Sequence, residues 1–351
     1  MIVEPATESI KDKISFSRIL DEIKIEKVSN DARTLAKKYG YLPYMVERYL
    51  EILGYDETLE LLETFDNYKY KPIILCNNLR IDCKVLIEKL LSLNFEIEEI
   101  PWNGLGFIVK KQPRSPTLGS THEYLKGYYY IYRDAASLIP TMILAPASYS
   151  KVLDMCAAPG GKASHILILM KDRGLLVAND ISKKRLQSLI VNFYRMGFSS
   201  YILTLEDGRL LPKKLRLKFD YVLLDAPCSA EGAIMFDKTR KFKTSQEALA
   251  KLVLKEIELL VSAINIAKPG ARIVYTTCSI APEENEYVIT KVFELFGENV
   301  LEIEYPSIDL GDRGLNSFKY IEFHPKISRC IRVWPHRHSM EGYFVCVMRK
   351  L

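Results

Sequence analysis

The chain has 351 residues, of which 48% are hydrophobic. This composition predicts a globular protein with enough apolar material for two or three domains, and it excludes an intrinsically disordered chain. The 49 basic and 44 acidic residues leave a formal net charge of +5, which permits a nucleic-acid partner without identifying one.

The first 13 residues, MIVEPATESIKDK, contain no apolar run behind their charges. The later run LIPTMILAPASY is too short, and too interrupted by proline, to cross a bilayer. We therefore expect a cytoplasmic protein that does not enter a membrane.

Apolar residues repeat at helical spacing from about residue 11 to residue 67. Asn30 and Asp31 can cap a helix in this stretch, and Gly40 and Gly54 can end helices. The pattern predicts a small helical domain.

The stretch from Tyr70 to about Lys111 has the pattern of a strand (KPIILCN), a helix (DCKVLIEKLLSLNF), a strand (EIEEIPW) and a strand (GFIVKK). Asp82 can cap the helix. This order predicts a compact α+β module.

The segment KKQPRSPTLGSTHEYLKGYYYIYRDAAS mixes basic and tyrosine side chains. Such a mixture suits RNA phosphates and stacked bases, but tyrosines are equally common in packed strands. Both interpretations stay open at this point. The residues concerned are Lys110, Lys111, Arg114 and Arg133, with Tyr124, Tyr128, Tyr129, Tyr130 and Tyr132.

After Ser150 the pattern changes to short apolar strands separated by amphipathic helical stretches. The strands are KVLDM, LLVAND, SYILTLED, FDYVLLDAP and ARIVYTTCS. Alternation of this kind predicts a Rossmann-like, doubly wound and mostly parallel sheet. Since ligands bind at the carboxyl ends of such strands, the residues that end the five strands should share one cleft.

A glycine-containing loop follows the first of these strands and precedes a helix. It fits neither the dinucleotide G-x-G-x-x-G pattern nor a P-loop, because Ala163 follows Lys162. Asp180 ends the second strand 19 residues after Gly161, where a carboxylate can bond the ribose of an adenosine-containing cofactor. Asp207 ends the third strand and is either an adenine contact or an ordinary turn residue. The loop residues are Cys156, Ala157, Ala158, Pro159, Gly160, Gly161 and Lys162.

Seven cysteines are spread along the chain without a C-x-x-C pair, which predicts neither a disulfide framework nor a metal site. Cys228 and Cys278 follow the fourth and fifth strands and Asp225 ends the fourth, so these groups should converge at one sheet edge. Position alone does not separate the two thiols. Four cysteines are expected to be inert buried side chains: Cys76, Cys83, Cys330 and Cys346.

This set of groups suits one particular reaction. Carbon 5 of cytosine is a weak nucleophile, and a thiolate that adds to carbon 6 turns the ring into an enamine able to accept a methyl group. An acid or hydrogen-bond donor at ring nitrogen 3 assists the addition. Asp225 is placed for this because it lies three residues before Cys228. Removal of the carbon-5 proton then releases the adduct.

Four motifs, CAAPGGKAS, DAPCSAEG, YTTCS-x-x-PEEN and WPHRHSMEGYF, together resemble the NSUN (Sun-domain) family of RNA 5-methylcytosine methyltransferases. The resemblance extends from roughly Tyr70 to the C-terminus. It implies that Cys278 is the nucleophile and that Cys228 helps to eliminate the enzyme from the product. It implies an RNA-recognition-motif-like fold for the α+β module and an RNA-binding role for the N-terminal helices. The implied contacts of S-adenosylmethionine are the loop 156–162, Asp180, Arg185, Asp207 and Asp225.

One residue departs from the family pattern. Arg133 precedes Asp134, where the family usually has Gln before an acidic residue, and this leaves an RNA contact or a packing role open. Two further motif segments are expected to be structural and not catalytic, namely 283–285 and 336–338.

The sequence therefore predicts a class I S-adenosylmethionine-dependent methyltransferase domain preceded by an RNA-recognition-motif-like module and a helical domain, divided as 1–68, 69–148 and 149–351. The expected activity is RNA (cytosine-5-)-methylation of tRNA, which is preferred, or rRNA, by a monomer without metal. One alternative is a DNA cytosine-5 methyltransferase in which Cys228 attacks. Another is an RNA-binding or ribosome-assembly protein that keeps the fold without turnover.

Overall fold

A computed structural model describes residues 14–351 of the chain. The expectation drawn from the sequence of the first 13 residues concerns a stretch outside the described residues. Between residues 14 and 351, no helix combines the length and the apolar character that crossing a membrane would require.

Helices occupy the N-terminal part of the described chain: α1 (Phe16–Ile23), α2 (Asn30–Tyr39), α3 (Pro43–Leu53) and α4 (Tyr55–Asn67). The Ser29 hydroxyl caps α2 by accepting a hydrogen bond from a first-turn N–H at 3.1 Å. The prediction that Asn30 or Asp31 caps this helix was therefore wrong, because the serine just before them takes that place. Gly40 ends α2 at a φ of 78° and Gly54 ends α3, as predicted.

A small antiparallel sheet follows. Its elements are β1 (Ile73–Cys76), α5 (Cys83–Ser92), β2 (Glu96–Glu99), β3 (Gly106–Lys111), α6 (His122–Leu125) and β4 (Tyr129–Tyr132). The strands lie in the order β2-β3-β1-β4. Asp82 caps α5 as predicted, since its carboxylate accepts a hydrogen bond from the N–H of Lys84 at 2.8 Å.

Both faces of this sheet are covered. Tyr129 lies in a core that β1, β3 and α5 build on one face. Tyr130 and Tyr132 lie in the core that the sheet shares with the C-terminal part of the chain, and the Tyr132 hydroxyl donates to the Gly161 carbonyl at 2.5 Å. The tyrosines of β4 therefore pack inside the protein, and base stacking is excluded for these three.

The C-terminal part of the chain builds a nine-stranded sheet. Its strands are β5 (Lys151–Asp154), β6 (Leu175–Asn179), β7 (Tyr201–Thr204), β8 (Phe219–Asp225), β9 (Ala267–Thr277), β10 (Leu301–Ile303), β11 (Asp312–Arg313), β14 (Ile331–Val333) and β15 (Tyr343–Lys350), while β12 (Ser317–Phe318) and β13 (Ile321–Glu322) form a separate hairpin. The order is β11-β14-β15-β9-β8-β5-β6-β7, with β10 paired to β15.

The run of strands from β9 to β7 in this order is parallel throughout. The interspersed helices are α7 (Ile139–Leu144), α8 (Gly161–Leu169), α9 (Lys183–Met196), α10 (Leu211–Lys214), α11 (Arg240–Lys243), α12 (Gln246–Ile266), α13 (Glu286–Phe296) and α14 (Pro335–His338). Val222 and Leu224 belong to the core that contains α12 and α13, and Leu223 belongs to the core that contains α8 and α9. Because successive strand residues face opposite sides, helices cover both faces. This confirms the predicted doubly wound, mostly parallel sheet.

Two disulfides correct the expectation of inert free cysteines. Cys76 is bonded to Cys83, with 5.9 Å between their Cα atoms, and Cys330 to Cys346, with 4.5 Å between theirs. Cys330 lies just before β14 and Cys346 on the adjacent strand β15. Strand pairing brings this second pair together, and a residue spacing cannot reveal it.

Candidate active site

The glycine-containing loop joins β5 to α8. Gly160 caps α8 with a φ of 106°, a left-handed conformation that side chains other than glycine strain to adopt. The loop is held from both sides, because the N–H of Ala157 donates to the carbonyl of Asn179 at 2.7 Å. The sequence therefore produces the predicted tight turn at the carboxyl edge of the sheet.

Asp180 fixes this loop to the end of β6. Its buried carboxylate accepts hydrogen bonds from the N–H of Ala158 at 3.3 Å and of Ser182 at 2.8 Å. Arg185 contacts the same carboxylate at 3.3 Å and also donates to the Ala158 carbonyl. Asp180 and Arg185 thus meet at the loop, as the sequence predicted.

Asp207 is a turn residue, as considered from the sequence, while the adenine contact stays a prediction. Its carboxylate caps the turn after β7 by accepting from the N–H of Arg209 at 3.0 Å, and it pairs with the Arg209 guanidinium at 2.6 Å. The side-chain hydrogen bond from Arg209 is the main reason that the pKa of Asp207 is lowered. Asp207 also lines the cavity described next.

A cavity of about 440 Å³ lies at this edge of the sheet, which is within the ~300–1,000 Å³ typical of ligand sites. It brings together most of the site residues predicted from the sequence. The predicted residues in its wall are Cys156, Ala158, Pro159, Lys162, Asp180, Arg185, Asp207, Asp225, Cys228 and Cys278. An adjoining cavity of about 280 Å³ adds Ala157 and Gly161. Gly160 shapes the turn without lining either cavity.

The two predicted thiols meet. The Sγ atoms of Cys228 and Cys278 lie 3.5 Å apart, and both side chains are half-buried. The hydrogen bond to Cys278, followed by burial, raises the pKa of Cys228 well above its ordinary value. Since the thiolate is the reactive form of cysteine, this environment disfavours Cys228 as the attacking group.

Asp225 is held by the loop lysine. The Lys162 ammonium lies 2.7 Å from the Asp225 carboxylate and 5.4 Å from the centre of the Tyr343 ring. Burial is the largest single effect and lowers the pKa of Lys162, but Asp225 and Tyr343 together outweigh it, so that the pKa of this lysine is raised. The pair fixes a charged hydrogen-bonding group beside the thiols.

Asp154 is a site residue that the sequence reasoning missed. It ends β5, it is fully buried, and it lines the adjoining cavity. Its Oδ2 atom has no hydrogen-bond partner among the described residues. Burial, followed by the charge of Asp225, raises the pKa of Asp154 to about 8. The sequence could have predicted this residue, because Asp180 and Asp225 were selected as carboxylates that end strands, and Asp154 also ends a strand.

Arg133 lies in the cavity wall. Its guanidinium pairs with the buried carboxylate of Glu341 at 2.7 Å, and the Ser137 hydroxyl donates to the same carboxylate at 3.0 Å. Burial lowers the pKa of Arg133, but Glu341 outweighs it and raises that pKa. The residue that departs from the family pattern is thus fixed at the site.

The segment 283–285 connects parts of the site without lining the cavities. Glu283 pairs with Arg48 at 3.0 Å. The Glu284 carboxylate accepts from the N–H of Ser229 at 2.7 Å, and the Thr277 hydroxyl donates to Asn285 at 2.6 Å. These contacts hold the residues next to both cysteines.

The segment 336–338 also makes structural contacts. His336 contacts Glu57 on α4 at 2.9 Å, Arg337 pairs with Glu57 and Asp312, and His338 contacts the backbone of Trp334. Both motif segments therefore make structural contacts within the fold. Within residues 14–351, no group of three or more His, Cys, Asp or Glu side chains could hold a metal ion.

Comparison with known proteins adds the following. The family described as "16S rRNA methyltransferase RsmB/F" matches residues 141–349. The "28S rRNA (cytosine-C(5))-methyltransferase" of Mus musculus is 36% identical over 331 residues, which is 93% of this chain and 41% of that protein. The "26S rRNA (cytosine-C(5))-methyltransferase nsun-1" of Caenorhabditis elegans is 33% identical over 91% of this chain and 48% of that protein.

A solved structure of a "Methyltransferase Homolog Protein from Pyrococcus Horikoshii" matches with a TM-score of 0.82 and 29% identity, over 92% of this chain and all of that chain. By contrast, this chain spans about half the length, or less, of the two curated relatives above.

Proposed function

Because the chain belongs to the RsmB/F family of rRNA methyltransferases, we propose that it is an S-adenosylmethionine-dependent RNA (cytosine-5-)-methyltransferase. The observation that carries this proposal is the meeting of Cys228 and Cys278, 3.5 Å apart, beside Asp225 in one cavity. Two thiols and a carboxylate can supply the nucleophile, the acid and the base that covalent activation and release of a cytosine ring use.

The cavity fits the proposed cofactor. The buried Asp180 and the turn residue Asp207 present carboxylates that can accept hydrogen bonds from a nucleoside, and the Gly160 turn allows close approach of a ligand to the backbone. The loop 156–162 and Arg185 complete the proposed set. When bound, S-adenosylmethionine supplies the methyl group.

In the proposed reaction the Cys278 thiolate forms a bond to carbon 6 of cytosine, and the electron pair of the 5,6 double bond moves into the ring. Asp225 takes a proton from the Lys162 ammonium, 2.7 Å away, and donates it as the carboxylic acid to ring nitrogen 3, which favours this addition. After carbon 5 has gained its methyl group, loss of the carbon-5 proton restores the double bond and expels Cys278. We assign to Cys228 the role of assisting this release: its thiol, 3.5 Å from Cys278, gives its proton to the departing Cys278 sulfur, and the Cys228 thiolate that results takes the carbon-5 proton.

We propose ribosomal RNA as the substrate class. The two curated relatives described above are named for rRNA, and this favours rRNA over the tRNA preference drawn from the sequence, which stays a prediction. The strand order β2-β3-β1-β4 supports an RNA-recognition-motif-like module in residues 69–148, with the helices of 1–68 as an RNA-binding extension and 149–351 as the catalytic domain. Since both faces of the small sheet are covered, its RNA contacts would come from edges and loops.

Comparison of Cys228→Ala with Cys278→Ala tests the assignment. Each variant is incubated with S-adenosylmethionine and with rRNA and tRNA transcripts, and covalent protein–RNA adducts are resolved on denaturing gels. We expect Cys228→Ala to accumulate a stable adduct and Cys278→Ala to form none. An adduct formed by Cys278→Ala would overturn the assignment.

The same assay separates the alternatives. Methylation of duplex DNA but not RNA by the unmodified protein would indicate the DNA enzyme. RNA binding without methyl transfer to any transcript would indicate a binding protein. Bisulfite sequencing of RNA from cells with and without the gene identifies the RNA and the modified cytosine.

A further inference from the structure

An aromatic cluster contacts one residue of the cavity wall. The Arg133 guanidinium, which lines the cavity, lies 4.5 Å from the centre of the Phe236 ring. Tyr68 and Tyr70 pack edge-on against the same ring, with centroids 5.6 and 5.8 Å from it. One phenylalanine thus joins two tyrosines to a cationic residue of the cavity wall.

The two tyrosines differ in their surroundings. The Tyr68 hydroxyl donates to the Asp134 carboxylate at 2.8 Å, so this ring serves to attach the linker between α4 and β1. Tyr70 is 53% exposed. Linker packing explains Tyr68, but it does not explain why a large ring two residues later is exposed to solvent while it contacts Phe236.

The residues around Tyr70 are basic. Lys69 and Lys71 flank it in the sequence and are both exposed. Alternation of an aromatic residue with lysines is the combination that single-stranded nucleic acids bind, since the ring stacks on a base and the lysines attract phosphates. The cluster therefore has the chemistry of a base platform.

Arg133 is held in place by an ion pair. Its guanidinium pairs with the buried Glu341 at 2.7 Å, which also accepts from Ser137, and it both contacts the Phe236 ring and lines the cavity. Arginine planes stack on bases as aromatic rings do. A chain of contacts thus runs from Tyr70 through Phe236 to Arg133 in the wall of the cavity that contains the two thiols.

We propose that Tyr70, Phe236 and Arg133 form a platform on which the nucleotide next to the target cytosine stacks, with Lys69 and Lys71 at the adjacent phosphates. The proposal rests on the proposed function. An enzyme that reacts at a ring carbon must take the target base out of its stack, and this leaves a neighbouring base without a partner. The platform supplies that partner at the place where the strand enters the cavity.

Protein variants at Tyr70, each assayed on intact and on altered RNA, test the platform. The probe is a transcript that contains the cytosine identified by bisulfite sequencing, prepared intact or with the 5′ or the 3′ neighbour of that cytosine replaced by an abasic nucleotide. The measurement is kcat/KM for methyl transfer. We expect Tyr70→Ala to lower kcat/KM on intact RNA by about 5- to 150-fold, which corresponds to ~1–3 kcal/mol per stacked base.

On RNA that lacks the stacked neighbour, Tyr70→Ala and the unmodified protein should have the same kcat/KM. Tyr70→Phe keeps the ring and should behave like the unmodified protein on all three RNAs. Tyr194→Ala is the matched control, since Tyr194 is 86% exposed and does not line the cavity. Circular dichroism on all variants identifies any that fail to fold, and Tyr70→Leu then replaces the alanine variant.

An equal loss for Tyr70→Ala on intact RNA and on both abasic RNAs would overturn the platform, and so would the absence of any loss on intact RNA. Either result leaves the proposed function standing, because the unmodified protein still methylates the transcript. If the unmodified protein methylates no RNA, the proposed function itself fails.

Discussion

Buried acidic side chains lie behind the two thiols. Glu284 accepts from the N–H of Ser229, the residue after Cys228. Glu256 on α12 is fully buried, and its carboxylate oxygens have no hydrogen-bond donor among the described residues. Burial, followed by the charge of Glu284, raises the pKa of Glu256 well above its ordinary value. This environment therefore favours the protonated form of Glu256 in the folded protein.

This protonation makes folding stability depend on pH. The folded-state pKa of Glu256 lies above its ordinary value of 4.5, so the stability linked to its proton is complete below pH 4.5 and is lost as pH rises towards the folded-state pKa. Glu256→Gln has no proton to lose. As the pH rises above 4.5, the free energy of unfolding of Glu256→Gln should therefore increase relative to that of the unmodified protein, by about 1.4 kcal/mol for each unit by which folding raises the pKa of Glu256.

Urea unfolding of both proteins at several pH values measures this difference. Glu258→Gln is the matched control, because Glu258 lies on the same helix but is 31% exposed and pairs with Arg209. The control should change stability equally at all pH values. Parallel pH curves for Glu256→Gln and the unmodified protein would contradict the buried proton.

Asp225 carries a second prediction at the residue scale. Asp225→Asn keeps the shape of the side chain but removes the charge that Lys162 contacts at 2.7 Å. General acid or base groups contribute about 10²–10⁴-fold to rates, so we expect a loss of that size in single-turnover methyl transfer. Asp220→Asn is the control, because Asp220 lies near the other end of β8 and pairs with Lys268. A loss below tenfold for Asp225→Asn would remove Asp225 from the chemistry.

At the scale of elements, two backbone segments cross closely beside the thiols. The N–H of Gly232, which follows Cys228 in a short 3₁₀ turn, donates to the Cys278 carbonyl at 2.9 Å. The N–H of Gly342, just before β15, donates to the Gly232 carbonyl at 2.9 Å. These bonds fix the loops after β8 and β9 relative to each other, and they set the distance between the thiols.

The crossing has no room for a side chain. A Cβ atom on Gly232 would lie 2.1 Å from the Gly342 carbonyl oxygen, so Gly232→Ala must push two backbones apart. Overpacking usually lowers the free energy of unfolding by ~1–3 kcal/mol. We expect a loss at or above the upper end of this range, because the backbone, unlike a side chain, cannot change rotamer to make room. Thermal unfolding gives the stability, and adduct formation gives the effect on the thiols. Gly119→Ala, with nothing within 4 Å of its Cβ, should change neither.

Elements defined by local patterns could be predicted from the sequence. The five parallel strands are apolar runs with polar ends, and parallel strands bring those ends to one edge, which placed Asp225, Cys228 and Cys278 together. Features that depend on contacts distant in sequence could not be predicted. The Cys330–Cys346 disulfide needs the pairing of β14 with β15, and the burial of Tyr132 needs the packing of the small sheet on α8. The roles of the two thiols came from the family resemblance alone.

At the scale of the whole molecule, the N-terminal helices are joined to the active-site loops by buried charges. Arg48 on α3 is fully buried and pairs with Glu231 at 2.7 Å and with Glu283 at 3.0 Å. The Tyr49 hydroxyl donates to Glu231 at 2.7 Å. Glu231 follows Cys228 by three residues, and Glu283 follows Cys278 by five. One arginine therefore connects the helices to both cysteine loops.

Removal of this arginine leaves two carboxylates buried without their cation. Arg48→Met should lower the free energy of unfolding by about 3–5 kcal/mol, as for other buried ion pairs that lose one partner. The triple variant Arg48→Met, Glu231→Gln, Glu283→Gln should recover part of that loss, because no charge is then left unpaired. Lys111→Met breaks an exposed pair with Glu96 and should cost less than about 1 kcal/mol.

The connection also predicts which part of the Arg48→Met variant unfolds locally first. Because Arg48 holds α3 against the loops after β8 and β9, amide hydrogen exchange should accelerate in the N-terminal helices and in these two loops before it accelerates in β5 or β6. Adduct formation by Cys278 should slow over the same range of conditions, since the loops carry both thiols. Faster exchange confined to the helices, with unchanged exchange in the loops and an unchanged adduct rate, would show that the helices attach without supporting the site.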